Sequence, residues 1–354
     1  MASSTRRITS GMFLCVTILL APATVIFGTT RGITAIAGVK VGNHSLTDRP
    51  TGCTVILVES GATAAVDVRG ASPGTREIAL LDPTNIGVQR AHAVVLAGGS
   101  AFGLAAADGT MRYLSERGIG VQTRNGAVPI VPAAILYDLD IGDPTIRPTA
   151  DCGYQAAVGA HDRGIDEGNV GAGAGATVGK LAGISHAMKG GLGSALAELP
   201  NGIQIAALMV TNAVGDIIDP GTGKIIAGAR TDDGLKFIDV RTLIRNGTNA
   251  TPPRAQNTTI GVVVTNVAMT VAELSVVARM AHDGLARAIW PAHTPADGDT
   301  IFALSTGTHA ATGHLLNIGA LAADVTAEAV VRGVSAATSI PGYPAAVDLE
   351  ETTR

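Results

Sequence analysis

From Ile33 onward, short apolar runs alternate with Gly, Pro and Asp, the rhythm of buried strands joined by tight turns. Thr54–Val58, Ala64–Val68, Ala93–Leu96 and Ile205–Val210 read as strands, most of them continuous enough to be buried on both faces. Between them, Ser100 is placed to cap a helix running towards Glu116, and a second helix is predicted from Cys152 to Asp162. A polar stretch from Ala229 to Asn257 then interrupts the order, too long for an ordinary connection and so a functional loop or a linker. Thr258–Thr265 is β-branched and reads as a central strand. Thr270-Val271-Ala272-Glu273 is a capping box opening a helix through about Ile289, whose Leu274, Val277, Ala281 and Leu285 form one apolar stripe. A turn-rich connection (Pro291–Asp299), a strand (Thr300–Leu304) and a helix from about Thr312 to Val331 complete the pattern, with no internal repeat.

With 46% hydrophobic residues among 354, the chain can build a core without covalent staples. Aromatics are only 3% while glycines number 45, which points to a compact α/β protein whose helices approach the sheet closely over small residues. The net charge of −4 has no basic cluster and few aromatics to stack bases, which argues against nucleic-acid binding. Cys53 and Cys152 show no metal or redox spacing and are expected to be buried free thiols; Cys15 lies in the N-terminal leader. In that leader Arg6 and Arg7 precede an apolar stretch from Met12 to Leu20 and then Ala21-Pro22-Ala23, the three regions of an export signal. The uncharged run from Ile8 to Thr30 is also long enough for an uncleaved membrane anchor, so residues 1–31 are either signal or anchor plus linker. A periplasmic or secreted location is expected, or an outward-facing anchored one.

The junction of Asn257 and Thr258 carries the most chemistry. A polar loop runs directly into a strand whose first residue bears a hydroxyl. If the peptide bond before Thr258 is cut, that residue gains an α-amine of pKa ~8, whose neutral form can take the proton of its own hydroxyl. Asn257-Thr258-Thr259 is also a glycosylation sequon, as are the contexts of Asn43, Asn246 and Asn249, and threonine begins many strands for its shape alone.

A wider set of blocks decides between these readings. Gly32-Ile33-Thr34, Gly38-Val39-Lys40-Val41-Gly42 and Thr51-Gly52-Cys53-Thr54-Val55 are followed by Gly98-Gly99-Ser100-Ala101-Phe102-Gly103-Leu104. Then come Asn257-Thr258-Thr259-Ile260, Thr265-Asn266, Ala281-His282-Asp283-Gly284-Leu285-Ala286-Arg287-Ala288-Ile289 and Asp297-Gly298-Asp299-Thr300. In this order, from about Gly32 to about Gly342, the chain resembles the DmpA family of self-processing aminopeptidases and the related nylon-oligomer (6-aminohexanoate) endohydrolases. The resemblance implies an α/β fold, a four-layer α-β-β-α sandwich like the N-terminal-nucleophile hydrolases but with its own connectivity. It further implies one domain over 32–354, cut into a large chain (32–257) and a small chain (258–354) that stay together in a homo-oligomer, commonly a tetramer.

Position by position, the resemblance makes Thr258 the nucleophile and Lys180, closing Gly171–Gly179, a catalytic lysine. It makes Asn212 the oxyanion donor, Asp297 and Asp299 the acids of an Asp-Gly-Asp turn, and Tyr137 a tyrosine near the cleavage site. The two acids are expected to orient the Thr258 amine or to bind a cationic substrate terminus. No cofactor is implied. Gly171–Lys180 fails as a phosphate loop because Ala174 and Leu181 stand where Gly and Ser or Thr are needed, and the block from Gly98 lacks the last Gly of a nucleophile elbow. The eight histidines make no zinc spacing. The expected function is therefore hydrolysis of amide bonds in small peptides or ω-amino-acid oligomers. Acyl transfer of the ornithine acetyltransferase type and non-catalytic binding by an exported protein stand as the alternatives.

Overall fold

The computed structural model describes Met1 and residues 26–27, 32–247 and 257–352. The export-signal reading and the whole Asn249 sequon fall outside these residues. Eight strands build the frame: β1 (Lys40–Ser45), β2 (Gly52–Val68), β3 (Arg90–Ala97), β4 (Ala133–Ile135), β5 (Gly191–Glu198), β6 (Gln204–Thr211), β7 (Ile260–Val267) and β8 (Thr300–His309). Hydrogen bonding runs in the order β5-β6-β7-β8-β2-β3-β4, with β1 on β2. Ile26–Phe27 lies on the outer edge of β5. The two segments expected as separate strands, Thr54–Val58 and Ala64–Val68, are one 17-residue strand. Its first half pairs with β1 and β3 and its last residues pair with β8, with a register shift between Leu57 and Ala62. β2 therefore belongs to both halves of the sheet.

Side-chain alternation along the strands then produces four layers. Ile56, Val58, Val94 and Leu96 share an inner core with Ala206, Leu208, Val210, Ile260, Val262 and Val264, so the two sheet halves face each other. On one outer face Val55, Leu57, Ala93 and Val95 pack on α1 (Ala106–Ser115) and α2 (Ala150–Val158). On the other, Ile205, Ala207, Met209 and Val263 meet α3 (Val271–Ala288) and α4 (Leu315–Ser335). This is an α-β-β-α sandwich. The α3 capping box forms as expected, and each of Leu274, Val277 and Leu285 is buried, worth ~2 kcal/mol apiece.

Glycine makes the layers close. A Cβ at Gly193 would stand 2.3 Å from the Ala329 carbonyl oxygen of α4, and one at Gly109 would stand 1.6 Å from the Ala150 carbonyl oxygen where α1 crosses α2. β5, absent from the sequence expectations, owes its place to this contact rather than to β-branched residues.

Three further expectations are corrected. Cys53 and Cys152 are joined in a disulfide between β2 and α2, with Cα atoms 6.2 Å apart, and are not free thiols. Ser100 does not cap a helix: it has φ +56° and follows Gly99 at φ +82°, opening a 3₁₀ turn (Ser100–Ala105) before α1. The turn is tight because the Gly99 N–H donates to the buried Asp138 carboxylate at 2.9 Å. The polar stretch after Ala229 is also not featureless, since a short helix (Val240–Arg245) is tied down by the Asp216 carboxylate, which accepts from the Val240 and Ala229 N–H groups.

Candidate active site

Strand order explains why distant residues meet. β7 and β8 are parallel, so the residues entering them, Asn257–Thr259 and Asp297–Asp299, lie side by side. β6 is antiparallel to β7, so the residue leaving it, Asn212, lies at the same end. Gly179 and Lys180 join by donating their N–H groups to the carbonyls of Gly215 and Val214 at 3.0 and 2.8 Å. Tyr137 follows β4 and completes the ring of segments.

Thr258 is 3% exposed and its backbone N–H donates to the Asn212 carbonyl at 2.9 Å. Its hydroxyl donates to the carbonyl of Asn257, the peptide group immediately before it. That same carbonyl oxygen accepts the Gly298 N–H at 3.2 Å. The peptide bond expected to break thus has a hydroxyl lying on it and a main-chain donor on the oxygen where negative charge would grow.

Lys180 is buried, with Nζ donating to Asn212 Oδ1 at 2.8 Å and to the Asn212 carbonyl at 3.3 Å. Lys180 Nζ and the Thr258 nitrogen thus share one acceptor oxygen. Burial pushes the Lys180 ammonium down to about 7, against the opposing charges of Asp297, Asp140 and Asp138. A neutral amine has two N–H bonds, enough for both of its acceptors here, and keeps a lone pair free to accept a proton. Asn212 is held on three sides: Oδ1 also accepts the Thr177 N–H at 2.9 Å, and Nδ2 donates to the Tyr137 carbonyl at 3.0 Å. Tyr137 therefore reaches the site through its backbone, while its half-buried hydroxyl faces Asp140 at 3.4 Å. The loop carrying it is anchored by Arg49, whose buried guanidinium bonds Asp138 Oδ1 at 2.8 Å and the Ile141 carbonyl at 2.6 Å.

The two acids differ in surroundings. Asp299 accepts the Thr259 N–H at 2.8 Å on one oxygen and the His293 N–H and Nδ1 on the other, at 3.2 and 2.8 Å. The Asp297 carboxylate accepts from Thr294 on Oδ2, by N–H at 2.9 Å and hydroxyl at 2.6 Å, and its Oδ1 has no partner among the described residues. Burial, then the Asp299 charge, pushes Asp297 up to about 6, against the hydrogen bonds from Thr294 and the charge of Lys180. Neither acid bonds the Thr258 nitrogen in the uncut chain, where that nitrogen is still a peptide N–H donating to Asn212, whereas the roles expected for them concern the amine freed by cleavage or a substrate terminus. Asp299 instead fixes the next residue, Thr259.

Sequence reasoning missed His293, Thr294, Gly298 and Lys189. Thr294-x-x-Asp297 has the spacing of a hydroxyl that satisfies a carboxylate three residues on, a signal that was available. The Gly298 contact is made by a backbone N–H and leaves no mark in side-chain chemistry. Among the described residues no His, Cys, Asp or Glu cluster could hold a metal ion.

The model of peptidase family S58 matches residues 31–347. The chain belongs to peptidase family S58. An uncharacterized aminopeptidase of Mycobacterium leprae is 43% identical over 343 residues, covering 89% of this chain and 92% of that protein. A 6-aminohexanoate-oligomer endohydrolase of Kocuria sp. is 34% identical over 271 residues, 76% of this chain and 73% of that protein. Among solved structures, a Burkholderia sp. beta-aminopeptidase superposes with a TM-score of 0.68 at 18% identity, covering 94% of this chain and 96% of that one. The L-aminopeptidase D-Ala-esterase/amidase of Ochrobactrum anthropi, described as a variant of the Ntn hydrolase fold, gives 0.68 at 21% identity, with 93% and 94% covered. This S58 chain is an amide hydrolase, and neither acyl transfer nor non-catalytic binding finds support among these relatives.

Proposed function

We propose that this S58 hydrolase cuts itself between Asn257 and Thr258 and then uses Thr258 to cleave amides of small peptides or ω-amino-acid oligomers. The observation that carries this reading is the hydroxyl of Thr258 lying on the Asn257 carbonyl, whose oxygen already accepts the Gly298 N–H. In the first step Oγ1 attacks the Asn257 carbonyl carbon and its proton passes to neutral Lys180. The C–N bond breaks, the nitrogen takes a proton, and an ester joins Asn257 to Thr258. Water hydrolyses the ester, leaving an Asn257 carboxylate and a free Thr258 amine. That amine, beside Lys180, is then kept from charging fully and serves as base for the same hydroxyl. On substrate, an Asn212 Nδ2–H is the side-chain donor for the oxyanion, a role typically worth ~3 kcal/mol of barrier.

The aminopeptidase and 6-aminohexanoate-oligomer endohydrolase names among the relatives support both substrate classes. Export is supported by the basic-then-apolar leader and by the Cys53–Cys152 disulfide, a bond that persists in oxidising compartments. A homo-oligomer of processed pairs belongs to the same proposal, with anchoring by residues 8–30 as the alternative to a cleaved leader, and native mass with and without detergent tests both. The main test is the intact mass of the purified protein beside Thr258→Ala. Two associated chains in the parent, one of them spanning 258–354, and a single chain in the variant are expected. A Thr258→Ala protein that is still cut there, or still active, refutes the assignment.

A further inference from the structure

Lys189 is fully buried, yet among the described residues it bonds no carboxylate. Its Nζ donates to three main-chain carbonyls, those of Gly173 at 2.8 Å, Ala176 at 2.9 Å and Gly190 at 2.9 Å. Only an ammonium carries three N–H bonds; a neutral amine would turn its lone pair onto one of the carbonyls. Burial pushes Lys180 and Lys189 alike down to about 7, but the acceptor count separates them. Lys180, with two acceptors, can lose its proton without losing a bond, whereas Lys189 cannot.

The cage has a direct structural link to the site. Lys189 sits on a short antiparallel ribbon (Met188–Lys189 against Thr177–Val178) opposite Thr177. Its ammonium ties down the Gly173 and Ala176 carbonyls just before that residue. The Thr177 N–H is one of the donors fixing Asn212 Oδ1, and Lys180 follows three residues later. We propose that Lys189 is a positioning residue: its caged ammonium holds the loop that fixes the Asn212 amide, and its positive charge helps keep Lys180 unprotonated. Asp297, Asp140 and Asp138 favour the charged form of Lys180, whereas a charged Lys180 disfavours the charge on Lys189, and repulsion between two like charges is mutual. This inference rests on the reading of Asn212 and Lys180 given above.

The test compares Lys189→Met, which fills the space without donors, with Lys189→Ala. Each is refolded from denaturant, and chain cleavage is followed by intact mass from pH 6 to 10. Both are expected to fold by circular dichroism and to cleave at least ~10-fold more slowly at pH 7, with the rising limb of the rate displaced to higher pH. Refolding Lys189→Ala with propylammonium, which restores the missing atoms, should recover cleavage several-fold, while propanol at the same concentration should not. A Lys189→Met protein with the parent's rate and pH limb overturns the inference. Failure of both variants to fold also overturns it, because the lysine would then serve the fold and not Asn212. A crystal structure of Lys189→Met gives a readout independent of chemistry: the Thr177 N–Asn212 Oδ1 contact is expected to open beyond hydrogen-bond reach. An Asn212 amide unmoved from its parent position refutes the inference whatever the nucleophile is, whereas cleavage persisting in Thr258→Ala refutes only the nucleophile.

Discussion

Asn212→Asp isolates the role of Lys180 in chain cleavage. The substitution is nearly isosteric and puts a carboxylate oxygen where Oδ1 now lies, 2.8 Å from Lys180 Nζ. With an effective dielectric of ~20, a full charge at that distance attracts the ammonium by ~6 kcal/mol, most of which the new carboxylate loses to its own desolvation. If about a third survives, ~2 kcal/mol, the lysine pKa rises by ~1.5 units. Starting from about 7, the neutral fraction at pH 7 then falls from about half to ~3%. Cleavage that uses neutral Lys180 as base should slow ~15-fold at pH 7, and the gap should close to within ~2-fold by pH 10, where both lysines are neutral. Refolding the denatured chain at each pH and counting cut against uncut protein by intact mass gives the rates directly, with no substrate needed. A deficit of equal size at pH 7 and pH 10 would refute the base role and leave Asn212 as a geometric element only. No deficit at pH 7 would refute the coupling altogether.

Two other outcomes follow from the same structure. Cys152→Ser opens a disulfide that spans 99 residues, so it should lower stability by ~2–4 kcal/mol, read as a melting temperature several degrees below the parent; an unchanged melt would contradict the bond. Lys180 is protonated in the unfolded chain up to its ordinary value near 10.5 but loses its proton at about 7 when folded, so the unfolded state binds more protons between these values. Stability of uncut Thr258→Ala should therefore rise between pH 7 and 9.5, by roughly 3 kcal/mol from this group, and a flat or falling melting temperature there would count against a buried neutral lysine.

The sequence showed the elements more clearly than the arrangement. The Thr270–Glu273 capping box and the stripe from Leu274 to Leu285 are local signals, and both survive in the structure because nothing tertiary competes with them. β5 was missed because Gly191-Leu192-Gly193-Ser194-Ala195 has no β-branched residue; it is a strand because Gly193 lets α4 lie against it. The Cys53–Cys152 bond could not be read from a separation of 99 residues, since it depends on α2 packing on β2. Thr258, Lys180, Asn212, Asp297 and Asp299 were named through resemblance, and the structure brings all five to one end of the sheet. Lys189, in the run Met188-Lys189-Gly190, carries no local signal of its cage, which exists only once the loop from Gly173 folds its carbonyls around it.

What sequence could not supply is mostly main chain. The Asn257 carbonyl, the Gly298 N–H, the Asn212 carbonyl and the Thr258 N–H all lie just beyond β6, β7 and β8. Within a sheet such groups are committed to the ladder; at its end they become available to one another. The parallel pairing of β7 with β8 brings the Asn257 carbonyl to the Gly298 N–H, and the antiparallel pairing of β6 with β7 brings the Thr258 N–H to the Asn212 carbonyl. Lys180 joins the latter oxygen from a segment that belongs to none of these strands. A one-residue slip of β7 against β8 would turn Thr258 to the opposite face and part the Asn257 carbonyl from its donor. Register is thus the property on which the candidate chemistry depends, and Ile260, Val262 and Val264, buried in the inner core, are the residues that hold it.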